Sequence, residues 1–351
     1  MKIGIPRALI YYNYYPFWFG FFKSLGIEIV LSDKTTKKTM SDGSALVVTE
    51  TCLPIKVYIG HVINLLDKGV DIIFVPSIQS IAHKIYNCSK IRALPDLVRN
   101  VVKRDFKIIE TTLDKSEKQQ GLHEFLIDTA RECGITDIER VKKAQEAGWQ
   151  IYNKFRTMTH SGVPFDRALN AAIKGEIIIK KDTNNYDVTV ALISHGYNIY
   201  DERVSMKIFE KLKNLKVKTL TYEELTQEQL IEGVSALGTD AYWANAHEMT
   251  GAAGHYLSTS KVDGLITVTS FGCGPDSIMI DRIIRNAKSF DKPVLHLTLD
   301  EHTGEAGFIT RIEAFTDMLI RKKRSKKIEH ARQEEVKIVK KPNFENIEIA
   351  N

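Results

Sequence analysis

Cys52, Cys88 and Cys273 are the residues of this chain best framed for chemistry. Cys273 lies in Phe271-Gly272-Cys273-Gly274-Pro275-Asp276. An apolar, strand-like run, Val262-Asp263-Gly264-Leu265-Ile266, precedes it, and helical spacing follows from Ile278 to Ile284. Two glycines clear side chains from either side of the sulfur, and Pro275 suits the first turn of a helix. A helix N-terminus favours a thiolate. Cys52 sits in Thr49-Glu50-Thr51-Cys52-Leu53-Pro54. The run Ala45-Leu46-Val47-Val48 before it reads as a strand, and residues 54–68 after it read as a helix. Cys88 follows a strand over residues 70–76 by a loop, and Leu94-Pro95-Asp96 then opens a helix. One context thus recurs three times: strand, loop, cysteine, helix start. A single cysteine so placed would also serve as a small buried side chain; three point to metal binding or reactivity. The fourth, Cys133, ends a charged helix before Gly134 and reads as a surface position.

Several other groups are candidates of weaker pattern. Glu301, His302 and Glu305 follow the strand read over residues 293–297. They would face a cleft at its carboxyl end, ligate a metal or move protons, or else form a polar surface loop. His247-Glu248, after Tyr242-Trp243, is a similar candidate. His61 lies on the apolar helix after Cys52 and reads as a core residue. Arg7, just past the first strand, would pair with a carboxylate or phosphate, or form a structural salt bridge. The cluster Tyr11, Tyr12, Tyr14, Tyr15, Phe17 and Trp18 reads as core packing, with a pocket wall as the alternative.

The elements that must position these groups alternate between strand and helix. Residues 2–6, 11–25 and 27–31 give strand, helix and strand, the βαβ unit of a parallel sheet. The Cys52 and Cys88 segments extend that sheet, and residues 106–110 add a strand. Residues 115–172 carry helical spacing without β-branched runs. A second α/β unit starts at Val188-Thr189-Val190-Ala191-Leu192-Ile193 and echoes the first. The expected fold class is therefore α/β, with two lobes of mainly parallel sheet whose strand ends face a shared cleft. The expected divisions are an N-terminal α/β lobe over 1–114, a helical segment over 115–185 and a C-terminal α/β lobe over 186–320. Residues 180–185 mark the second boundary, and 321–351 form a basic, flexible tail.

Composition fits that picture. Of 351 residues, 43% are hydrophobic and 26% charged, as in a globular protein large enough for two domains. No apolar run is long enough to span a bilayer, and the opening residues read as a strand, not a signal peptide. A cytoplasmic protein without a membrane partner is the expectation. Four widely spaced cysteines do not make a secreted disulfide scaffold. The net charge of +5 owes much to Arg321-Lys322-Lys323-Arg324-Ser325-Lys326-Lys327, read as a solvated helix end. No aromatic residues interleave with it, so nucleic acid is not expected as a partner.

Five stretches together resemble the acyl-CoA dehydratase activase-related proteins. These are relatives of the 2-hydroxyacyl-CoA dehydratase and benzoyl-CoA reductase subunits and of double-cubane cluster proteins. The stretches are Gly4-Ile5-Pro6-Arg7-Ala8-Leu9, Glu50-Thr51-Cys52-Leu53-Pro54, Gly196-Tyr197-Asn198-Ile199-Tyr200-Asp201, Phe271-Gly272-Cys273-Gly274-Pro275-Asp276 and Asp300-Glu301-His302-Thr303-Gly304. The resemblance implies two Rossmann-like lobes around a cubane [4Fe-4S] cluster ligated by Cys52, Cys88 and Cys273, and Cys133 matches nothing in it. It implies a dimeric iron–sulfur ATPase, the activase, that supplies a low-potential electron for an acyl-CoA or other small-molecule substrate. The chain has no Walker A loop of its own. Three cysteines serve one cubane with one iron open, not a six-cysteine double cubane within one chain. The resemblance also allows the cubane to be part of a larger double-cubane cluster, and a homodimer or related subunit as partner. Glu301 and His302 are then the candidate catalytic pair at the open iron. The alternative is a non-catalytic accessory or scaffold for the activase, with iron–sulfur or zinc, the latter on three cysteines and His302.

Overall fold

The computed structural model describes residues 1–116, 121–179, 184–238 and 243–339. Its first lobe begins with β1 (Lys2–Ile5), α1 (Tyr11–Ser24) and β2 (Glu28–Leu31), then α2 (Lys37–Leu46) and α3 (Leu53–Asp67). Next come β3 (Ile72–Phe74), the hairpin of β4 (Ser77–Ala82) and β5 (Ile85–Tyr86), α4 (Ser89–Arg92), α5 (Leu94–Val101), β6 (Lys107–Ile109) and β7 (Thr112–Asp114). Three helices follow: α6 (Leu122–Glu132), α7 (Ile138–His160) and α8 (Phe165–Lys174). The second lobe runs β8 (Val188–Ile193), α9 (Gly196–Ile199), α10 (Ile208–Asn214), β9 (Val217–Leu220), α11 (Gln227–Ala236) and α12 (Ala244–Ser258). It ends with β10 (Gly264–Ser270), α13 (Gly274–Ser289), β11 (Val294–Leu299) and α14 (Glu305–Val339).

The two main sheets share one plan. Their orders are β2-β1-β3-β6 and β9-β8-β10-β11, every neighbouring pair parallel. Numbered within its own lobe, each sheet reads 2-1-3-4, a doubly wound order. The α/β expectation of two Rossmann-like lobes with mainly parallel sheets is borne out. Parallel strands are covered on both faces, which is why β10 can bury all seven of its residues. A third sheet, β5-β4-β7, has no counterpart in the sequence reading; its antiparallel hairpin leads into the Cys88 loop.

The aromatic run on α1 is core. Trp18 meets Phe74 and Phe125 edge to face at centroid distances of 4.8 and 5.8 Å, and Phe21 and Phe22 are fully buried. Helix α7 crosses α1 at Gly20 and Gly148, where an added Cβ would strike backbone at 2.8 Å or closer on one side.

Three local expectations are corrected. Residues 45–48 form no strand: α2 runs through Leu46, capped by Thr36 and Thr39 in a reciprocal hydrogen-bonded box. Close docking on α3 overrides the short apolar run. Cys133 is buried, not at the surface; it caps α6 and packs into the aromatic core, while Gly134 at φ 78° turns the chain as expected. The final helix runs through Val339, so residues 321–339 of the expected flexible tail are helical. Residues 180–183 of the expected boundary and 340–351 of the expected tail lie outside the described residues. Among those described, no helix is long and apolar enough to cross a membrane.

The α2–α3 docking fixes the helix that begins just after Cys52. A Cβ on Gly60 would lie 1.9 Å from the Thr39 carbonyl oxygen, and one on Gly43 1.8 Å from that of Lys56. Gly60→Ala must therefore pry the helices apart, and urea unfolding should show a loss of about 2 kcal/mol or more, the scale of an overpacked core.

Candidate functional site

All three cysteines occupy the same structural position. Cys52 is the N-cap of α3, Cys88 of α4 and Cys273 of α13, each with extended backbone. None of the three sulfurs accepts a cap hydrogen bond, and the Ile55 and Ile91 amides bond the Cys52 and Cys88 carbonyls (both 3.1 Å). The backbone N–H groups at Ile55, Ile91 and Asp276 still tilt the balance toward the thiolate. Burial works against them and wins. It pushes all three thiols up, with Lys90 partly opposing at Cys52 and Cys88. Cys273 is raised furthest, by burial and then by the Asp276 carboxylate.

The thiols share one neighbourhood built from both lobes. Cys88 acts on Cys52, Cys52 acts on Cys273, and the phenol of Tyr197 is raised by burial, then by Asp276 and all three cysteines. The Glu50 carbonyl ties the loops together. It accepts from Lys90 Nζ at 3.5 Å and lies 3.3 Å from where a Cβ on Gly272 would stand. Gly272 sits at φ 76°, so its lack of a side chain serves both the turn and this approach. Among the described residues, no group of three or more His, Cys, Asp or Glu side chains converges closely enough to hold a single metal ion.

A buried dyad beside Cys273 escaped the sequence reading. His195 Nε2 lies 2.8 Å from Asp276 Oδ1, both residues are buried, and Asp276 Oδ2 has no hydrogen-bond partner. His195 follows β8 as Cys273 follows β10, at the break in strand order where doubly wound sheets bind ligands. Ser194 Oγ donates to the Val268 carbonyl (2.6 Å) and Ser270 Oγ to Asn198 Oδ1 (2.8 Å), which locks the two loops together. The available signal was Ser194-His195-Gly196 at a strand end, matching the Cys273 loop.

The remaining candidates go elsewhere. Glu301 binds Lys56 Nζ at 2.5 Å, and Lys56, only 2% exposed, also donates to the Thr49 carbonyl in the Cys52 loop (2.9 Å). Burial alone would raise the Glu301 carboxyl, but Lys56 holds it below its ordinary value. His302 has an 85% exposed side chain, 3.9 Å from Glu301, and Glu305 pairs with Lys211 at 2.6 Å. His61 is a core residue, as expected; its ring touches Thr35 Oγ1 (2.9 Å) and burial pushes it down to about 3. Burial raises Glu248 to about 7 against the pull of Arg156.

A family model described as the CoA enzyme activase uncharacterised domain matches residues 2–225, more than half of the chain. That span carries Cys52, Cys88 and His195, and it agrees with the resemblance read from the motifs. No curated protein matches the chain.

The Lys56–Glu301 pair has a measurable signature. Glu301→Gln leaves a buried ammonium without its counter-charge and should cost about 3 kcal/mol in urea unfolding. The double change Lys56→Met, Glu301→Leu should recover most of it. Because the folded carboxyl titrates lower than the unfolded one, its stabilisation is complete above about pH 4.3. It is lost as pH falls through the lower folded value, and Glu301→Gln should flatten that acid limb.

Proposed function

The chain belongs to the CoA enzyme activase family, and on that premise we propose that it is the reducible iron–sulfur component served by an ATP-driven activase in acyl-CoA chemistry. Cys52, Cys88 and Cys273 would hold a cubane [4Fe-4S] cluster. The observation that carries this reading is three half-buried thiols, delivered by both lobes, each at the N-cap of a helix, with Cys88 felt at Cys52 and Cys52 felt at Cys273. Such a cluster supplies one-electron chemistry at a potential set by burial and by hydrogen bonds to its sulfurs.

The chain's own residues have definite parts in this scheme. The thiols are held protonated by burial and must release protons to become ligands, so loading is favoured as pH rises. The helix starts at Ile55, Ile91 and Asp276 would favour the sulfur charge once formed. The Asp276 carboxylate, with Oδ1 held 2.8 Å from His195 Nε2, is the polar group we place beside Cys273 for proton movement. We assign that role to it rather than to Glu301 and His302. Three thiolates leave one iron open, for a small-molecule or acyl-CoA substrate or for a second copy or related subunit. ATP hydrolysis falls to the separate, dimeric activase, since the chain lacks a Walker A loop.

A cluster is the reading we prefer to zinc. Zinc needs four donors at one point, and His302, the imidazole that the sequence offers for the fourth place, has an 85% exposed side chain.

Anaerobic reconstitution with iron and sulfide should give a brown protein with iron and sulfide near cubane stoichiometry. Cys52→Ser, Cys88→Ser and Cys273→Ser should each lose most of the iron, since an alkoxide replaces a thiolate poorly, while Cys133→Ser keeps it. A colourless wild-type protein, or normal iron in all three variants, would end this reading.

A further inference from the structure

A cleft of about 620 Å³ opens where β1, β2 and β11 end, and both lobes wall it. Arg7 lines it. The Arg7 amide donates to Ser32 Oγ (2.8 Å), which fixes the turn after β1. Its guanidinium stands 5.8 Å from the centre of the Tyr11 ring, and its buried Nε has no hydrogen-bond partner. Arg7 makes no ion pair among the described residues, so the structural salt bridge allowed by the sequence is not formed. A buried donor without a partner is costly, and a planar fork of donors is the shape that a carboxylate or phosphate fills.

The acids on the same walls do not fill it. Asp201 accepts from Thr35, from Tyr12 (3.2 Å) and from the amides of Arg203 and Val204 (2.9 and 3.1 Å). Glu301 is held by Lys56, and Glu305 by Lys211. Among the charged wall residues, only Arg7, Arg203 and Asp166 have side chains without a hydrogen bond or ion pair within the described residues. Two cations against one anion remain, and Arg7 is the half-buried one. The position is also apt: the break in strand order of the first lobe lies at β1 and β3, and Arg7 stands just beyond β1.

We propose that this cleft binds a small molecule by an anionic phosphate or carboxylate group clamped on Arg7, at a site separate from the three cysteines. The site needs no cluster and stands whether or not the cysteines hold one. Its occupant would still lie against Glu301, whose partner Lys56 supports the Cys52 loop.

Thermal unfolding of the full chain, with sodium phosphate or sodium succinate titrated against sodium chloride at equal ionic strength, tests this. One or both anions should raise the melting temperature with saturation, beyond chloride. Phosphate alone would mark a phosphoester ligand, succinate alone a carboxylate, and both the shared chemistry. Arg7→Gln should weaken the midpoint at least about tenfold, as the loss of a charge-assisted contact implies. Arg203→Gln should weaken it less. If Arg7→Gln does not fold by circular dichroism, Arg7→Lys, which keeps the charge but loses the fork, should still weaken binding. A response no greater than chloride, or wild-type midpoints in the folded Arg7 variants, would overturn the proposal.

Discussion

Parallel strand pairing is the constraint on which both sites depend. Each strand of the two main sheets runs with its neighbours, so the loops that leave strand ends emerge along one edge of each sheet. The 2-1-3-4 order then sends the connections after the first and third strands of a lobe to opposite faces and opens a gap between them. In the second lobe that gap lies between the loops of β8 and β10, which carry His195 and Cys273. In the first lobe it lies beside β1, which delivers Arg7.

Desolvation sets the chemistry of what those loops carry. The same burial that raises the three thiols makes Asp276 dependent on His195 and Lys56 dependent on Glu301. Each pair also fastens two segments that are distant in sequence. His195–Asp276 joins the ends of β8 and α13, while Lys56–Glu301 joins the helix after Cys52 to the loop after β11. The Cys52 loop is thus held from the second lobe by one ion pair and from the Cys273 loop by the close approach of Glu50 to Gly272.

Much of the fold was legible because its elements are strongly patterned. The apolar runs of β1, β8 and β10 and the long apolar face of α3 announce themselves. The three cysteines were legible because each stands just before a helix start, although the segment before Cys52 is helix α2 and not the strand expected there. The α2 helix was not, since four apolar residues at 45–48 look like a strand until α3 is there for Gly43 and Gly60 to touch. Helices α11 and α12 and the small third sheet were not read. The hairpin of β4 and β5 is too short to show period-two alternation over more than a few residues.

The sequence by itself determined the alternation of strands and helices, the two-lobe plan, and three cysteines in matching settings. These are local properties, written in spacing and in turn residues. Only the tertiary structure decided which polar groups meet. His195 and Asp276 are 81 residues apart and Lys56 and Glu301 are 245 apart, and no spacing rule relates them. Tertiary structure also decided that Glu301 pairs with Lys56, that Cys133 lies in a core, and that Arg7 forms no ion pair among the described residues. The physical reason is common to all of these. Burial and pairing are set by what the rest of the chain brings to a side chain, and that is fixed only when the sheets have formed and the two lobes have closed on each other.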